Sequence, residues 1–543
     1  MAQVNLRVGD VAANTQIIID AAIKARDELG AQVIVFPELT LSGYPPEDLL
    51  MRQGLYRQID AALARICAEV EDIHLFVGHP RRQQNDLYNT VSVIHDGGIV
   101  ASYDKQCLPN YGVFDEMRYF SAGDSPCVVE VSGVRLGVTI CEDIWQTGPA
   151  LQARDAGAEI LLNLNASPFN IGKKEEREVI LRQRVAQIGV PVVYVNLVGG
   201  QDELVFDGES LVMNRGGRVT QRAPLAVEGL YPVVFQRGDE VEPVAGEIAL
   251  DLAPEAVIYQ LIVLGIRDYV RKNRFPGVVI GLSGGIDSAL TLALAVDALG
   301  ADAVEVVMMP SEYTADMSQQ DACQQAQTLG VKYSVIEIAN VFHGFLNLLQ
   351  DEFAGRPVDA TEENIQARCR GVILMAIANK NNRVLLTTGN KSEMSVGYAT
   401  LYGDMAGGFA PIKDLPKMMV YALSRWLNRE QEIIPQRVID RPPSAELAPD
   451  QKDEDSLPAY EVLDPILEMY VERDLCVADI IAMGYEASVV NDIATKVDRN
   501  EYKRRQAPPG IRITSRAFGR DRRYPLTSGY TNSDNISILS DSD

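Results

Sequence analysis

The sequence predicts an α/β chain built as two domains. Three observations carry that expectation. Apolar runs of strand length recur along the chain, helix patterns alternate with them, and an acidic, proline-bearing stretch near the middle divides it. At 543 residues the chain is long enough for two sizeable cores. The domains are placed at 1–243 and 244–543, with the join within VEPVAGEIALDLAP.

In the first half, residues from Val11 to about Leu29 fit an amphipathic helix closed by Gly30. AQVIVFPEL then reads as a buried strand that delivers Glu38 at its end. IVASYDKQCLPNYGVFDE places Lys105 just past another short strand, and VRLGVTICEDIW is a third apolar strand, ending in Cys141. Sites in α/β sheets gather at strand carboxyl ends, so the three side chains are candidates to converge. Their chemistry is coherent. An ammonium lowers a neighbouring thiol's pKa, a carboxylate takes the thiol proton, and ammonium with backbone N–H stabilises an oxyanion. Such a trio hydrolyses an amide through a thioester. Taken singly, a strand-end cysteine reads as core and Glu38 with Lys105 as an ion pair. Cys107 has no comparable company and is expected to be structural.

Together, FPEL, YDKQCLPNYGVFDE and TICEDIW resemble the nitrilase, or carbon–nitrogen hydrolase, superfamily across about residues 2–240. The resemblance implies an α-β-β-α sandwich, with Glu38 as general base, Lys105 as oxyanion stabiliser and Cys141 as nucleophile. It further implies that Tyr111, Glu116, Ser167 and Lys173 surround a glutamine substrate. Lys173 and Lys174 also fit a solvated helix start.

In the second half a helix from Glu255 to about Lys272 leads to VVIGLSGGIDSALTLALAVDALG, from Val278 to Gly300. An apolar strand, a Ser-Gly-Gly turn and an apolar helix make an anion site, because glycines allow close backbone approach and the helix start offers free N–H groups. A Walker A loop needs a lysine after its last glycine; here Ile286 and Asp287 follow. An acid beside a phosphate cradle is suited to Mg²⁺. A lone Gly-Gly pair is equally an ordinary strand–helix turn. Strand and helix patterns then alternate through VEVVMMP, VKYSVIEI and VLLTTGN, which predicts a doubly wound parallel sheet.

The string Ser-Gly-Gly-x-Asp-Ser resembles the ATP pyrophosphatase signature, with a Rossmann-like fold of the adenine nucleotide α-hydrolase type. TTGNKSEMSVGY resembles the second signature of NAD synthetases. These resemblances imply that Gly281, Leu282, Ser283, Gly284, Gly285, Ile286, Asp287, Ser288 and Thr388 bind ATP. They imply that Asp287 and Glu393 hold Mg²⁺, and that Asn364, Arg368, Glu393 and Lys503 contact deamido-NAD. Lys503-Arg504-Arg505 alone reads as a solvated charge cluster. The proline-rich stretch 435–458 is expected to be a mobile loop by the site, and the polar tail 528–543 to be frayed.

Composition narrows the partners. A net charge of −25 argues against nucleic acid. Seven cysteines without CxxC spacing argue against a disulfide framework or zinc knuckle. No apolar run spans a bilayer and the start lacks a secretory pattern, so no membrane role and a cytoplasmic location are expected. An amide hydrolase joined to an ATP-using ligase resembles the glutamine-dependent NAD synthetases over nearly the full length. The implied substrates are ATP, L-glutamine and deamido-NAD, with ammonia channelled between sites and a homo-oligomeric assembly. The alternatives are another glutamine- or ammonia-fed ATP pyrophosphatase, and a ligase carrying an inactive nitrilase scaffold. The first needs an N-terminal cysteine or a Cys–His pair. Residue 2 is Ala2, and none of His74, His79, His95 or His343 lies in a fitting motif.

Overall fold

The computed structural model of the chain describes residues 1–448, 451 and 453–530. Residues 531–543 of the tail expected to fray, and 449, 450 and 452 of the proline-rich stretch, lie outside the described residues. Two units emerge, Met1–Ala253 and Pro254–Asp543. The dividing point falls there because residues before it hydrogen-bond along the first unit. Arg222 N donates to Glu247 O at 3.0 Å and Ala249 N to Arg222 O at 3.1 Å.

In the first unit, four strands form one sheet: β1 (Val33–Val35), β2 (His74–Gln83), β3 (Asp86–His95) and β4 (Gly98–Asp104), in that order. Strands β5 (Cys127–Val131), β6 (Val134–Ile140), β7 (Ile160–Asn165), β8 (Val192–Asn196), β9 (Leu211–Met213) and β10 (Val219–Arg222) form a second sheet, ordered β10-β9-β8-β7-β6-β5. Side chains alternate across a strand, and that period of two separates the cores here. Ile34, Leu75 and Val77 pack with helices α1 (Val11–Asp27) and α2 (Gln53–Glu69), while Val35 and Phe76 face the second sheet. Val193 and Val195 meet them from the other side. Val192 and Tyr194 point outward, onto α3 (Thr147–Asp155) and α4 (Lys173–Ile188). Three core layers between four structural layers make the α-β-β-α sandwich that the motifs imply.

In the second unit, α5 (Pro254–Lys272) precedes β11 (Val278–Gly281), and α6 (Ile286–Leu299) follows it. Strands β12 (Val304–Met308), β13 (Lys332–Val335) and β14 (Val384–Leu386) complete a wholly parallel sheet, ordered β13-β12-β11-β14. Helix α7 (Asp316–Leu329) links β12 to β13, and α8 (Ala360–Lys380) leads back to β14. Right-handed crossovers place helices on one face while the chain runs outward from β11, and on the other once it returns to β14. The sheet is therefore doubly wound, and its switch point lies between β11 and β14. That crevice is where such sheets bind ligands.

The stretch 435–458 carries more structure than its composition predicts. It includes a helical turn, Gln436–Asp440, and a 3₁₀ turn, Asp453–Asp455. Ion pairing explains the first: the guanidinium of Arg437 bonds the buried carboxylate of Asp321 at 2.7 Å.

Candidate active sites

In the first unit the sequence fixes where each functional side chain emerges. β1 ends and Glu38 follows in a turn, β4 ends and Lys105 follows, and β6 ends at Ile140 with Cys141 next. The Lys105 Nζ donates to Glu38 Oε1 at 2.7 Å and to both oxygens of Glu116, at 2.9 and 2.8 Å. Lys105 and Glu38 are fully buried. Burial alone pulls the Lys105 ammonium down, but Glu116 and then Glu38 outweigh it and hold the lysine well above its ordinary value. Burial is also the first reason that Glu116 is pushed up to about 7.

Glu38 is held on both sides: Asn89 Nδ2 donates to Oε1 at 2.7 Å and Ala166 N to Oε2 at 3.2 Å. Cys141 is buried and has a left-handed backbone, φ 43°. A non-glycine residue there costs about 1–3 kcal/mol and needs surrounding structure to hold it. Asp143 provides that. Its carboxylate accepts from Ile140 N at 2.9 Å, Cys107 N at 2.8 Å, Gln106 N at 3.1 Å and Tyr103 OH at 2.8 Å. One carboxylate thus ties the cysteine turn to the loop that carries Lys105.

Lys105 does favour the thiolate, but it does not set the balance. Burial pushes the Cys141 thiol well up, Glu38 adds to that, and Lys105 opposes only in part. Burial and Glu38 thus hold the proton on sulfur more firmly than on an ordinary thiol, which gives a neighbouring base a part to play.

The four residues implied to surround glutamine are placed as follows. Glu116 joins the lysine, and Tyr44 OH donates to it at 3.0 Å. Tyr111 is exposed, and its OH donates to Glu142 Oε2 at 2.8 Å, one residue beyond the cysteine. Ser167 is buried just past β7, where Arg177 Nε donates to its Oγ at 3.2 Å. Lys173 opens α4, with Nζ 4.0 Å from the Trp145 ring centre and 3.0 Å from Glu176. Sequence reasoning missed Asn89, Tyr44, Glu142 and Asp143. The last two stand inside TICEDIW, so adjacency to the nucleophile was an available signal; Asn89 and Tyr44 lie in separate segments.

In the second unit the Ser283-Gly284-Gly285 turn joins β11 to α6. Gly284 has φ 79°, and a Cβ there would lie 2.3 Å from the Ser318 carbonyl oxygen. Only glycine fits. The Ser283 hydroxyl accepts from Gly285 N at 3.2 Å and lies 3.1 Å from Ser288 Oγ. Arg441, from the proline-rich stretch, donates to the Gly284 carbonyl and to Ser318 Oγ.

Asp287 follows β11, and Glu393 follows β14 on α9 (Lys391–Val396), so the switch point brings them together. They share one cation that the sequence did not announce. The Lys417 Nζ lies 2.5 Å from Asp287 Oδ2 and 3.2 Å from Glu393 Oε1. Burial is the main cause that pushes Glu393 up to about 8; Lys417 opposes it and Asp287 adds to it. Thr388 lies in the turn between β14 and α9. Asn364 Oδ1 accepts from Thr400 Oγ1 at 2.7 Å, and Arg368 Nε donates to Leu401 O at 3.2 Å. Lys503 Nζ donates to the carbonyls of Gly397 and Ala399, at 2.8 and 2.9 Å. These three therefore converge on the turn after α9. A small pocket is lined by Glu393, Tyr398, Ala399, Asp404 and Pro508.

A buried carboxylate–ammonium–thiol group in one unit, and a glycine turn facing two carboxylates at a parallel-sheet switch point in the other, define a class: an amide-cleaving domain joined to a nucleotide-binding ligase domain. Residues 1–239 match the carbon–nitrogen hydrolase family model and residues 258–507 the NAD synthase model. The glutamine-dependent NAD(+) synthetase of Xylella fastidiosa (strain Temecula1) is 49% identical over 98% of both chains. That of Acinetobacter baylyi is 47% identical over 98% of both. The solved structure of the Acinetobacter baumannii glutamine-dependent NAD+ synthetase, in complex with ADP, aligns at TM-score 0.79. It is 46% identical and covers 98% of this chain and 99% of that one. A Cytophaga hutchinsonii enzyme of the same name, 24% identical over 97% of both chains, shares the fold at TM-score 0.84.

The chain belongs to the glutamine-dependent NAD(+) synthetase family. It is an ATP-dependent ligase that takes its nitrogen from glutamine. No helix among the described residues is long and apolar enough to cross a membrane.

Proposed function

We propose that the chain amidates deamido-NAD to NAD with ammonia drawn from glutamine, and that the two residue groups above divide the work. Cys141 is the nucleophile. Glu38 takes the Sγ proton as sulfur attacks the glutamine side-chain carbonyl, and Lys105 stabilises the oxyanion. Glu38 returns the proton to the departing amine, so ammonia leaves and a thioester remains. Water then attacks the thioester, giving its proton to Glu38, and glutamate and the thiol are released. The observation that carries this reading is the hydrogen bond of Lys105 to Glu38, at 2.7 Å in a fully buried setting beside a strained cysteine. Tyr111, Glu116, Ser167 and Lys173 line the glutamine side of this site.

In the second unit a nicotinate carboxylate oxygen attacks the α-phosphorus of ATP, and pyrophosphate departs. Ammonia then attacks the acyl carbon, loses a proton, and releases AMP. Ser283 and the amides of the 281–288 turn bind the phosphates, with Thr388 alongside. Asn364, Arg368, Glu393 and Lys503 bind deamido-NAD; of these Glu393 lines the pocket beside Tyr398 and Asp404. The donor set fits Mg²⁺: two hard carboxylates already meet on one cation. Phosphate oxygens and water would complete the shell of such an ion. Asp287 and Glu393 would hold the ion, which supplies charge neutralisation to the phosphate oxygens when bound.

The enzyme acts in the cytoplasm, as a homo-oligomer. Leu348, Val358 and Val372 are apolar side chains left exposed, and covering such surface is favourable. Light scattering tests it, and a monomer at micromolar concentration contradicts it.

The substrate is tested by offering deamido-NAD, XMP or aspartate with ATP and glutamine, and assaying AMP. AMP released with deamido-NAD supports the reading. AMP released only with XMP or aspartate overturns it.

A further inference from the structure

Asp287 and Glu393 come from different strands, yet one buried side chain touches the carriers of both. Asn390 is fully buried, in the turn between β14 and α9. Its Nδ2 donates to Asp287 Oδ1 at 3.0 Å, and its Oδ1 accepts from Glu393 N at 3.0 Å, capping α9. The two bonds use both ends of one planar amide. The carboxamide therefore fixes the distance between the Asp287 side chain and the first turn of the helix that bears Glu393.

The bond to Asp287 also selects an oxygen. With Oδ1 engaged by Asn390, Oδ2 is the atom that the Lys417 ammonium reaches, at 2.5 Å. A carboxylate pinned this way offers one oxygen to a cation. That suits a small ion needing a near-octahedral shell with single-oxygen ligands, and disfavours a larger ion that takes carboxylates through both oxygens. The far side of α9 is anchored as well, since Ser392 bonds Asp464, and Lys417 N donates to Ser392 Oγ at 2.9 Å. Asn390 thus bridges two anchored elements.

We propose that Asn390 is a positioning residue that holds Asp287 in single-oxygen presentation and locks that choice to Glu393. The inference rests on the reading of Asp287 and Glu393 as the metal-holding pair. Groups that orient metal ligands change metal affinity by roughly 10- to 100-fold when lost.

Two substitutions separate positioning from capping. Asn390→Ser keeps a good helix cap and removes the donor to Asp287; Asn390→Asp keeps the cap and sets a carboxylate against Asp287. The full-length protein with ATP is titrated with Mn²⁺, and free ion is read by electron paramagnetic resonance. A parallel titration with Ca²⁺ competes for the bound Mn²⁺. The expected result is at least tenfold weaker Mn²⁺ binding in Asn390→Ser, a smaller preference over Ca²⁺, and Mn²⁺ binding restored neither by Asn390→Asp nor by higher ATP. Parental Mn²⁺ affinity and parental Ca²⁺ competition in Asn390→Ser overturn the proposal and leave Asn390 as a cap alone. Asp287→Asn is the control. If it too leaves Mn²⁺ binding unchanged, the metal assignment has failed rather than the positioning role.

Discussion

Lys105 donates to both oxygens of Glu116, at 2.9 and 2.8 Å. Glu116 in turn is pushed up to about 7, burial being the first cause, so its charge varies near neutral pH. The folded state binds this proton more tightly than the unfolded chain. Glu116 therefore contributes a stability that is present at low pH and is lost as pH rises through about 7. Activity runs the other way. Below about 7 Glu116 gains a proton and its hold on the ammonium weakens. Glutaminase kcat/KM is expected to fall on the acid side of that value. Glu116→Gln is expected to be slower by roughly 10²-fold or more and to lose that limb. Parent-like rates across pH 5–8, roughly the range of a shifted carboxyl, contradict this.

Lys417 supports a second prediction. Its side chain is almost wholly buried between Asp287 and Glu393. Lys417→Met leaves two carboxylates facing each other without a cation. Breaking a buried pair typically costs about 3–5 kcal/mol. Glu393, pushed up to about 8 by burial even with the ammonium present, takes a proton at neutral pH and keeps the cost near the low end. The expected outcome is a destabilisation of about 3 kcal/mol in EDTA, with Mg²⁺ raising the melting temperature more in the variant than in the parent. Equal Mg²⁺ shifts in both contradict it.

Gly284 supports a third. Alanine there meets the Ser318 carbonyl at 2.3 Å, on a backbone of φ 79°. The turn must move, and displacement of about 1 Å at a reacting centre costs roughly 10²-fold. Gly284→Ala is expected to lose AMP formation by about that factor while hydrolysing glutamine at the parental basal rate. Loss of both activities, or of neither, contradicts the division between the units.

Much of this was legible in the sequence, for a physical reason. Strand ends deliver side chains to one edge of a sheet, so Glu38, Lys105 and Cys141 announce themselves by position, as do Ser283 to Asp287. What pairs across the fold was harder to see. Lys417 opens a helix far along the chain from Asp287, and only the order β13-β12-β11-β14 brings them together. Asn89 reaches Glu38 from mid-strand, where nothing local marks it. That burial raises the Cys141 thiol is not written in any motif, whereas a neighbouring lysine is.

The central claim is that one unit makes ammonia and the other consumes it. The direct measurement is NAD formation by Cys141→Ala, with glutamine or with ammonium chloride as nitrogen source. No detectable NAD is expected from glutamine, and near-parental NAD from ammonium. Glutamine-supported synthesis at the parental rate would contradict it.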